Sequence, residues 1–423
     1  MSYVLKANPL DELDTLNHYC CAGRRDFVHN FSVLTVNASS TGDETIFLAV
    51  QLGDTDATIV HHDPDPAALE MVRHRARLLG ITDRIRFVGG PLAALDNPAF
   101  PRQDDYGPFD YVRCTSSLND QENFEKGFSL LLRLLKADGV LGMSCYGYYG
   151  REPYRQMQRI AESLNADQPD EQEQLDRLKE LFPFTPERNG TRLAFDNLSP
   201  AIRSMKDDAF ITEFLHKDRY GLTVPQLYEL LDRHGMRLAQ YSRQTRMSYD
   251  PWFARSNDEL NELLERLPVR DREAVAEIAW NTIERHQFWA VRKAVPHADP
   301  GDTDNVPFFN PITTTSKYRR KAFLDAGPDV APELLVESTP WEKHYVSIPW
   351  GPIPYEMVEQ IDGYKTLGEI WMLIREESRE SVGLEEISSQ CIRFLLAVEC
   401  EDMILLRHKS LTPLPFTARR LAG

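Results

Sequence analysis

Short β-rich runs alternate with amphipathic segments along the first third of the chain. The apolar runs, which predict strands, lie at residues 31–36, 57–62, 85–89, 109–114 and 140–146. Segments with apolar residues at helical spacing lie between them, at 44–52, 66–79 and 122–135. A strand–helix–strand repeat of this kind favours right-handed crossovers and a parallel sheet covered by helices on both faces. The pattern therefore predicts an α/β protein with a Rossmann-like, doubly wound sheet.

The strand pattern stops at a long polar and helical stretch, 151–222, and then resumes. A second helical stretch, 257–285, interrupts it again. A helix is predicted at 224–234, and further strands are predicted at 236–242 and 286–294. We therefore predict one sheet domain that carries two helical insertions and follows a helical segment. The predicted bounds are 1–30 for the N-terminal helical segment, 31–295 for the sheet domain, and 151–222 and 257–285 for the insertions.

The last part of the chain has a different pattern. Residues 296–305 are rich in Pro, Asp and Gly, and they open a predicted linker over 296–340. Over 341–415 the pattern predicts three helices closed by a strand, which resembles a small winged-helix-like α+β domain. Residues 331–423 contain 15 acidic and 9 basic residues, a net charge of about −6 that is unsuited to reading DNA. We expect this module to contact protein, either a partner or a second copy of the chain.

The amino-acid composition restricts the binding partners and the cellular location that we expect for the protein. The 423 residues include 48 basic and 65 acidic ones, so the net charge of −17 makes nucleic acid a poor partner. The basic cluster KYRRK at 317–321 fits a solvated turn better than a nucleic-acid site. No apolar run approaches the ~18 residues of a membrane helix, and the six cysteines form no CxxC pair. These features predict a cytoplasmic protein without a membrane segment or a metal site.

Three loops follow predicted strands, where ligands bind in open parallel sheets. The first, VNASSTG at 36–42, has small side chains that allow a ligand close to the backbone, although a plain tight turn has the same composition. The second contains Asp63, which lies 21 residues after Gly42 and is placed to accept hydrogen bonds from ribose hydroxyls. The neighbouring Asp65 fits a helix cap. The third begins at Cys114 and contains no histidine, so a pocket wall fits better than a nucleophile.

Residues 26–294 resemble a class I S-adenosylmethionine (SAM)-dependent methyltransferase. The resemblance rests on four segments in the order typical of that superfamily: VLTVNASSTGDETIFLA, IVHHDPDPAALEMVRHRARLLGITDRIRFVGG, GPFDYVRCTSSL and LLLRLLKADGVLGM. It implies a sheet with the strand order 3-2-1-4-5-7-6, in which strand seven is antiparallel.

The resemblance also implies which residues bind SAM. The first loop lies under the methionine and ribose, Asp63 binds the ribose hydroxyls, and the loop after strand three flanks the adenine. Residues at the end of strand four border the sulfonium. The implied cofactor-binding residues are Asn37, Ser39, Gly42, Asp63, Pro64, Gly90, Pro91, Leu92, Cys114 and Thr115.

A bacterial subgroup of these methyltransferases is matched beyond strand five. Its segments resemble YGREPYRQ at 149–156, FLHKDRYGLTVPQLYELL at 214–231 and HGMRLAQY at 234–241. Acceptor-side residues under this hypothesis are the catalytic candidates Tyr149, Arg151 and His216, with Tyr146, Asp218 and Arg219 as further candidates. His216 is a candidate general base, and a surface histidine at a helix end is an equal alternative. We expect insertion 151–222 to cover the site and the acceptor to be a protein or a small molecule.

The first loop departs from the Gly-x-Gly-x-Gly pattern of the family, because Asn37, Ser39 and Ser40 stand where glycines are expected. A second hypothesis is therefore a methyltransferase-like scaffold, weakened in catalysis, that regulates or partners another enzyme. A nicotinamide-dependent dehydrogenase fits less well, because its fingerprint needs two or three glycines within residues 37–42. Binding of SAM by the purified chain discriminates among these hypotheses.

Overall fold

An eight-stranded sheet organises the N-terminal two-thirds of the chain. The computed structural model describes residues 8–36, 41–96, 108–115, 118, 121–167, 170–181, 186, 207–215, 221–254, 257–312, 316–338, 343–378 and 381–417. The strands of this sheet are β1 (Ser32–Val36), β2 (Thr58–Asp63), β3 (Ile85–Gly89), β4 (Phe109–Thr115), β5 (Leu135–Gly147), β6 (Gly221–Leu222), β7 (Arg237–Tyr241) and β8 (Arg285–Val291). Their order is β3-β2-β1-β4-β5-β8-β7, and β6 pairs with β5 beside this path.

This strand order confirms the predicted fold class. Strands β1 to β5 pair in parallel, whereas β8 is antiparallel to both β5 and β7. Without the two-residue β6, which was not predicted, the order is 3-2-1-4-5-7-6 with an antiparallel seventh strand. Because β1 to β5 run in the same direction, their carboxyl ends lie at one edge of the sheet.

Helices with well-defined starts follow the strands. The helices of this part of the chain are α1 (Leu13–Cys20), α2 (Asp43–Gln51), α3 (Pro66–Leu78), α4 (Gln121–Arg133), α5 (Glu152–Leu164), α6 (Glu171–Leu181), α7 (Asp207–Phe214), α8 (Val224–Arg233), α9 (Arg243–Arg246), α10 (Asp258–Glu265) and α11 (Val269–Trp280). Helix α8 begins with a capping box between Thr223 and Gln226, which satisfies two backbone N–H groups. None of the described helices has the length and apolar character needed to cross a membrane.

Two apolar cores lie on opposite faces of the sheet. The core under α4 and α8 includes Val112, Phe128, Leu141, Leu227 and Phe288. The core under α1, α2 and α3 includes Leu16, Ile46, Val72, Tyr111 and Trp289. The neighbours Tyr111 and Val112 of β4 enter different cores, as expected because side chains alternate along a strand.

The first insertion begins and ends at the carboxyl end of β5. Its described helices α5, α6 and α7 share a small apolar core that includes Met157, Leu175, Leu178, Phe210 and Phe214. The chain then returns through β6, whose two residues pair with Tyr146 and Gly147 of β5. The insertion is therefore anchored beside the edge where a ligand of the sheet would bind.

The C-terminal part combines four described helices with two strand pairs. Its elements are β9 (Asn305–Phe309), α12 (Ser316–Ala326), β10 (Glu333–Ser338), β11 (Lys343–Ser347), α13 (Pro352–Gln360), α14 (Leu367–Glu377), α15 (Leu384–Glu399) and β12 (Ile404–His408). Strand β12 pairs with β9, and β10 pairs with β11, both antiparallel. The stretch 296–340, which we predicted to be a linker, thus contains β9, α12 and β10. The domain bounds and the winged-helix assignment stay predictions.

A buried polar cluster joins three distant segments of the chain. Asp402, which follows α15, is fully buried and accepts hydrogen bonds from the Tyr19 hydroxyl at 2.6 Å and from Arg246 Nη2 at 3.0 Å. Arg243 Nη1 lies 3.4 Å from the second carboxylate oxygen. These four residues, the Asp402 cluster, attach the C-terminal part to α1 and α9.

Candidate functional site

The ends of three neighbouring strands bring predicted cofactor-binding residues together. Val36, the last residue of β1, is level with His62 of β2 and with Cys114 of β4. Asp63 and Thr115 extend one residue further on either side of β1. The candidate site is therefore centred on β1, with a carboxylate on one side and a hydroxyl on the other.

Asp63 has one carboxylate oxygen available for a ligand. The residue is 6% exposed, and its Oδ1 accepts the backbone N–H of Asp65 at 2.9 Å. Within the described part of the chain, no hydrogen-bond partner of its Oδ2 is found. Burial raises the pKa of Asp63, and the N–H of Asp65 opposes that shift without cancelling it. Asp65 itself caps α3 by accepting the N–H of Ala67 at 2.8 Å, as predicted, and Pro64 between the two carboxylates is exposed.

Gly42 is required by both backbone conformation and packing. Its φ of +64° lies in the left-handed region that favours glycine. A Cβ atom at this position would clash with Cγ2 of Val72 on α3. The glycine therefore allows α2 to start in close contact with α3. Asn37 and Ser39 of the same loop lie outside the described residues, so their roles stay predictions.

The turn after β3 forms the side of the site that is predicted to flank the adenine. Gly90 has a φ of +98°, and its carbonyl oxygen accepts a hydrogen bond from His62 Nε2 at 2.9 Å. Pro91 is exposed, and Leu92 packs half-buried against the core under α4. The turn is thus attached to β2 through His62 and to the core through Leu92.

Cys114 and Thr115 end β4 in different environments. Cys114 is fully buried in the core under α4, an environment that makes a thiol unreactive. The Thr115 hydroxyl is also buried, and it has no hydrogen-bond partner among the residues that the structure describes. Leaving such a hydroxyl unpaired costs about 1–3 kcal/mol. A polar ligand at this edge would remove that cost.

His61 and His62 are adjacent buried residues near the end of β2 that the sequence pattern did not single out. His61 Nδ1 lies 2.8 Å from the Thr45 hydroxyl and 3.1 Å from the Thr35 hydroxyl. Burial, with a smaller contribution from His62, lowers the pKa of His61 to about 4. Burial also lowers the pKa of His62. Two adjacent histidines inside an apolar strand are the signal that could have identified them.

On the acceptor side, Arg151 lies in a buried cluster rather than at a surface. Its side chain is 2% exposed, and Nη2 pairs with Glu213 of α7 at 2.7 Å. The guanidinium stacks on Tyr146 at 4.0 Å and on Tyr154 at 4.3 Å. These contacts attach α5 and α7 to the end of β5, so Arg151 positions the insertion. A catalytic role for Arg151 stays a prediction.

The other acceptor-side candidates are less constrained by the structure. Tyr149 is half-buried just beyond β5, with its ring edge-on to Tyr148 at 5.2 Å. His216, Asp218 and Arg219 lie outside the described residues. No group of three or more His, Cys, Asp or Glu residues in the described ranges is arranged to hold a metal ion.

Glu277 of α11 should make the stability of the protein depend on pH. Burial raises its pKa to about 7, although its Oε2 accepts the N–H of Val224 at 2.8 Å. The folded state therefore binds more protons than the unfolded state between the ordinary carboxyl pKa and about 7, and stability falls as pH rises through that window. Glu277→Gln, which cannot ionise, should raise Tm at pH 8 by about 2 °C or more.

Thermal unfolding of both proteins at pH 5 and pH 8 checks this prediction. The nearby His286 stays mostly neutral in the folded protein at both pH values, because burial lowers its pKa to about 4. A difference in Tm that is the same at both pH values would contradict the assignment.

Comparisons with known proteins agree with this fold. No protein-family model matches the sequence. The structure of PKMT2 from Rickettsia typhi in complex with AdoHcy is similar, with 14% identity and a TM-score of 0.62 over 96% of this chain and 76% of that chain. A second structure of PKMT2 from Rickettsia typhi gives 12% identity and a TM-score of 0.62 over 95% of this chain and 75% of that chain. Together with the strand order, these matches show that the chain has the fold of class I SAM-dependent methyltransferases.

Proposed function

We propose that this protein is a SAM-dependent methyltransferase that acts on a protein or small-molecule acceptor. The observation that carries the proposal is the available Oδ2 of Asp63 at the end of β2, with β1 between it and the buried Thr115 hydroxyl at the end of β4. An acidic residue at this place accepts hydrogen bonds from the hydroxyls of a ribose. The structure of PKMT2 in complex with AdoHcy supports a search for the same kind of ligand here.

The residues present fit an adenosyl cofactor. Asp63 would accept hydrogen bonds from the ribose, Thr115 would face the central part of the ligand, and the turn at Gly90–Leu92 would flank the base. Bound SAM supplies an activated methyl group. The remaining task of the chain is to position the acceptor and to remove its proton where it carries one. For that task Tyr149, Arg151 and His216 remain the candidates.

Calorimetry with S-adenosylhomocysteine tests the cofactor assignment. We expect saturable binding of one ligand per chain, because the polar groups at the ends of β2 and β4 form one site. Incubation of the purified protein with SAM and a cell extract, followed by mass spectrometry, should then reveal methylated products. The absence of binding by S-adenosylhomocysteine would overturn the proposal.

A methyltransferase-like scaffold is the second candidate function. Asn37, Ser39 and Ser40 stand where the family has glycines, and this departure favours weakened catalysis. A scaffold with this loop would bind S-adenosylhomocysteine weakly or not at all and would transfer no methyl group to any acceptor in the extract. It would also bind a protein partner, for which the acidic C-terminal part is the candidate surface. The same two experiments therefore separate the two functions.

A further inference from the structure

His62 connects the two halves of the candidate cofactor site. Its backbone immediately precedes Asp63, the candidate ribose ligand, and its imidazole Nε2 lies 2.9 Å from the carbonyl oxygen of Gly90. Gly90 begins the turn that leads to Pro91 and Leu92. One side chain therefore links the ribose side of the site to the side that flanks the base.

The hydrogen-bonding chemistry of this contact is determined by its partner. A carbonyl oxygen only accepts hydrogen bonds, so Nε2 of His62 carries the hydrogen and donates it to Gly90. The other ring nitrogen, Nδ1, is buried and has no partner in the described part of the chain. The bond to Gly90 is consequently the hydrogen bond at 2.9 Å that a substitution of the ring would remove.

The turn begins directly after β3, whose last residue Gly89 pairs with Asp63 of β2. Gly90 has a φ of +98°, and a Cβ built on it would meet no atom within 4 Å. Pro91 is exposed, and the next packed side chain is that of Leu92. Beyond the paired Gly89, the hydrogen bond with His62 is therefore the contact that the structure shows holding the Gly90 carbonyl.

We propose that His62 is a positioning residue that holds the Gly90–Leu92 turn against the end of β2 and thereby sets the preference of the site for its purine base. This inference rests on the proposed function, because it requires an adenosyl ligand. Removal of the Nε2–H donor should loosen the turn and weaken recognition of the base, while Asp63 still binds the ribose.

Three variants separate the hydrogen bond from the volume of the ring. His62→Phe keeps a buried ring and loses the donor. His62→Gln keeps an N–H donor at about the reach of Nε2, whereas His62→Asn places its amide too close to the backbone to reach Gly90. His61→Phe is the matched control, because His61 is equally buried but contacts Thr35 and Thr45 rather than the turn.

Binding of S-adenosylhomocysteine and of S-inosylhomocysteine is measured for each variant, together with Tm. We expect His62→Phe and His62→Asn to bind S-adenosylhomocysteine about tenfold more weakly than the wild type and to lose most of the preference for adenine. His62→Gln and His61→Phe should keep that preference. Any loss of Tm in His61→Phe should leave the ratio of the two affinities unchanged.

The outcomes distinguish this inference from the proposed function. If the wild type binds neither compound, the proposed function fails. If the wild type binds but the Phe and Asn variants keep its affinity and base preference, His62 has no positioning role. Equal loss of base preference in the Gln variant, or in His61→Phe, would also overturn the inference, because the donor to Gly90 would then not matter. If His62→Phe does not fold, the base preferences of His62→Gln and His62→Asn still decide whether the donor to Gly90 matters.

Discussion

Asp63→Ala should weaken binding of S-adenosylhomocysteine by about 10- to 100-fold, since a hydrogen bond to a charged group contributes about 1.5–3 kcal/mol. The carboxylate already uses Oδ1 for the N–H of Asp65, so its Oδ2 is the atom that a ribose hydroxyl would reach. The substitution removes both oxygens and leaves the ribose without this acceptor. Titration calorimetry of the wild type and the variant under the same conditions measures the effect.

Asp65→Ala provides a matched control for this experiment. Asp65 is two residues away and carries the same charge, but its carboxylate caps α3. Its backbone N–H, which donates to Asp63, is unchanged by the substitution. We expect a loss of stability of about 1 kcal/mol from the lost cap and an unchanged affinity. If Asp63→Ala binds as the wild type does, or if both variants lose affinity equally, Asp63 is not the ribose ligand.

The positions of the first strands and of Asp63 could be predicted because both depend on local sequence, whereas the strand order 3-2-1-4-5-7-6 was implied by the resemblance to class I SAM-dependent methyltransferases. The first three strands are short apolar runs, and the structure places β3 at the predicted 85–89. Asp63 could be identified because it ends such a run at the spacing expected of a nucleotide-binding sheet. Asp65 could be assigned as a cap for the same local reason.

Contacts between distant residues could not be predicted in this way. Strand β9 pairs with β12 about 100 residues later, and neither run indicates its partner. The stretch around β9 was therefore predicted to be a linker. His62 was overlooked for a related reason: its importance depends on Gly90, which lies 28 positions away on another strand end. A single sequence contains no pairing signal for such contacts.

The Asp402 cluster is the clearest case, and it leads to the largest expected effect on stability. Asp402→Ala should lower the free energy of unfolding by about 3–5 kcal/mol, because it removes a fully buried carboxylate that pairs with two half-buried arginines. Arg246 would lose its carboxylate, Arg243 would keep only Glu12 at 3.3 Å, and Tyr19 would lose its acceptor at 2.6 Å and keep the carbonyl of Glu399. Asp402 also has a φ of +50°, which alanine adopts less readily than aspartate. Chemical denaturation measures the change.

Two further variants divide this effect into its causes. Asp402→Asn keeps the shape and tolerates the left-handed backbone but removes the charge, whereas Asp402→Gly relieves the backbone strain but removes the carboxylate. If the ion pairs dominate, the Gly variant should lose nearly as much stability as the Ala variant. Glu262→Ala is the control, because it removes the exposed ion pair of Glu262 with Arg266, whose atoms lie 3.1 Å apart. We expect it to lower the free energy of unfolding by under about 0.5 kcal/mol.

The same denaturation curves test whether the C-terminal part behaves as a separate module. Because Asp402 links that part to Tyr19 of α1 and to the arginines of α9, its loss should destabilise the sheet domain as well. Fluorescence of Trp289, which is buried in the sheet core, and of Trp371, which is buried among the C-terminal helices, can be followed in single-tryptophan variants. We expect both transitions to move to lower denaturant in Asp402→Ala. A shift confined to Trp371, with the transition of Trp289 unchanged, would instead show that the C-terminal part folds independently and that the cluster contributes little to the sheet domain.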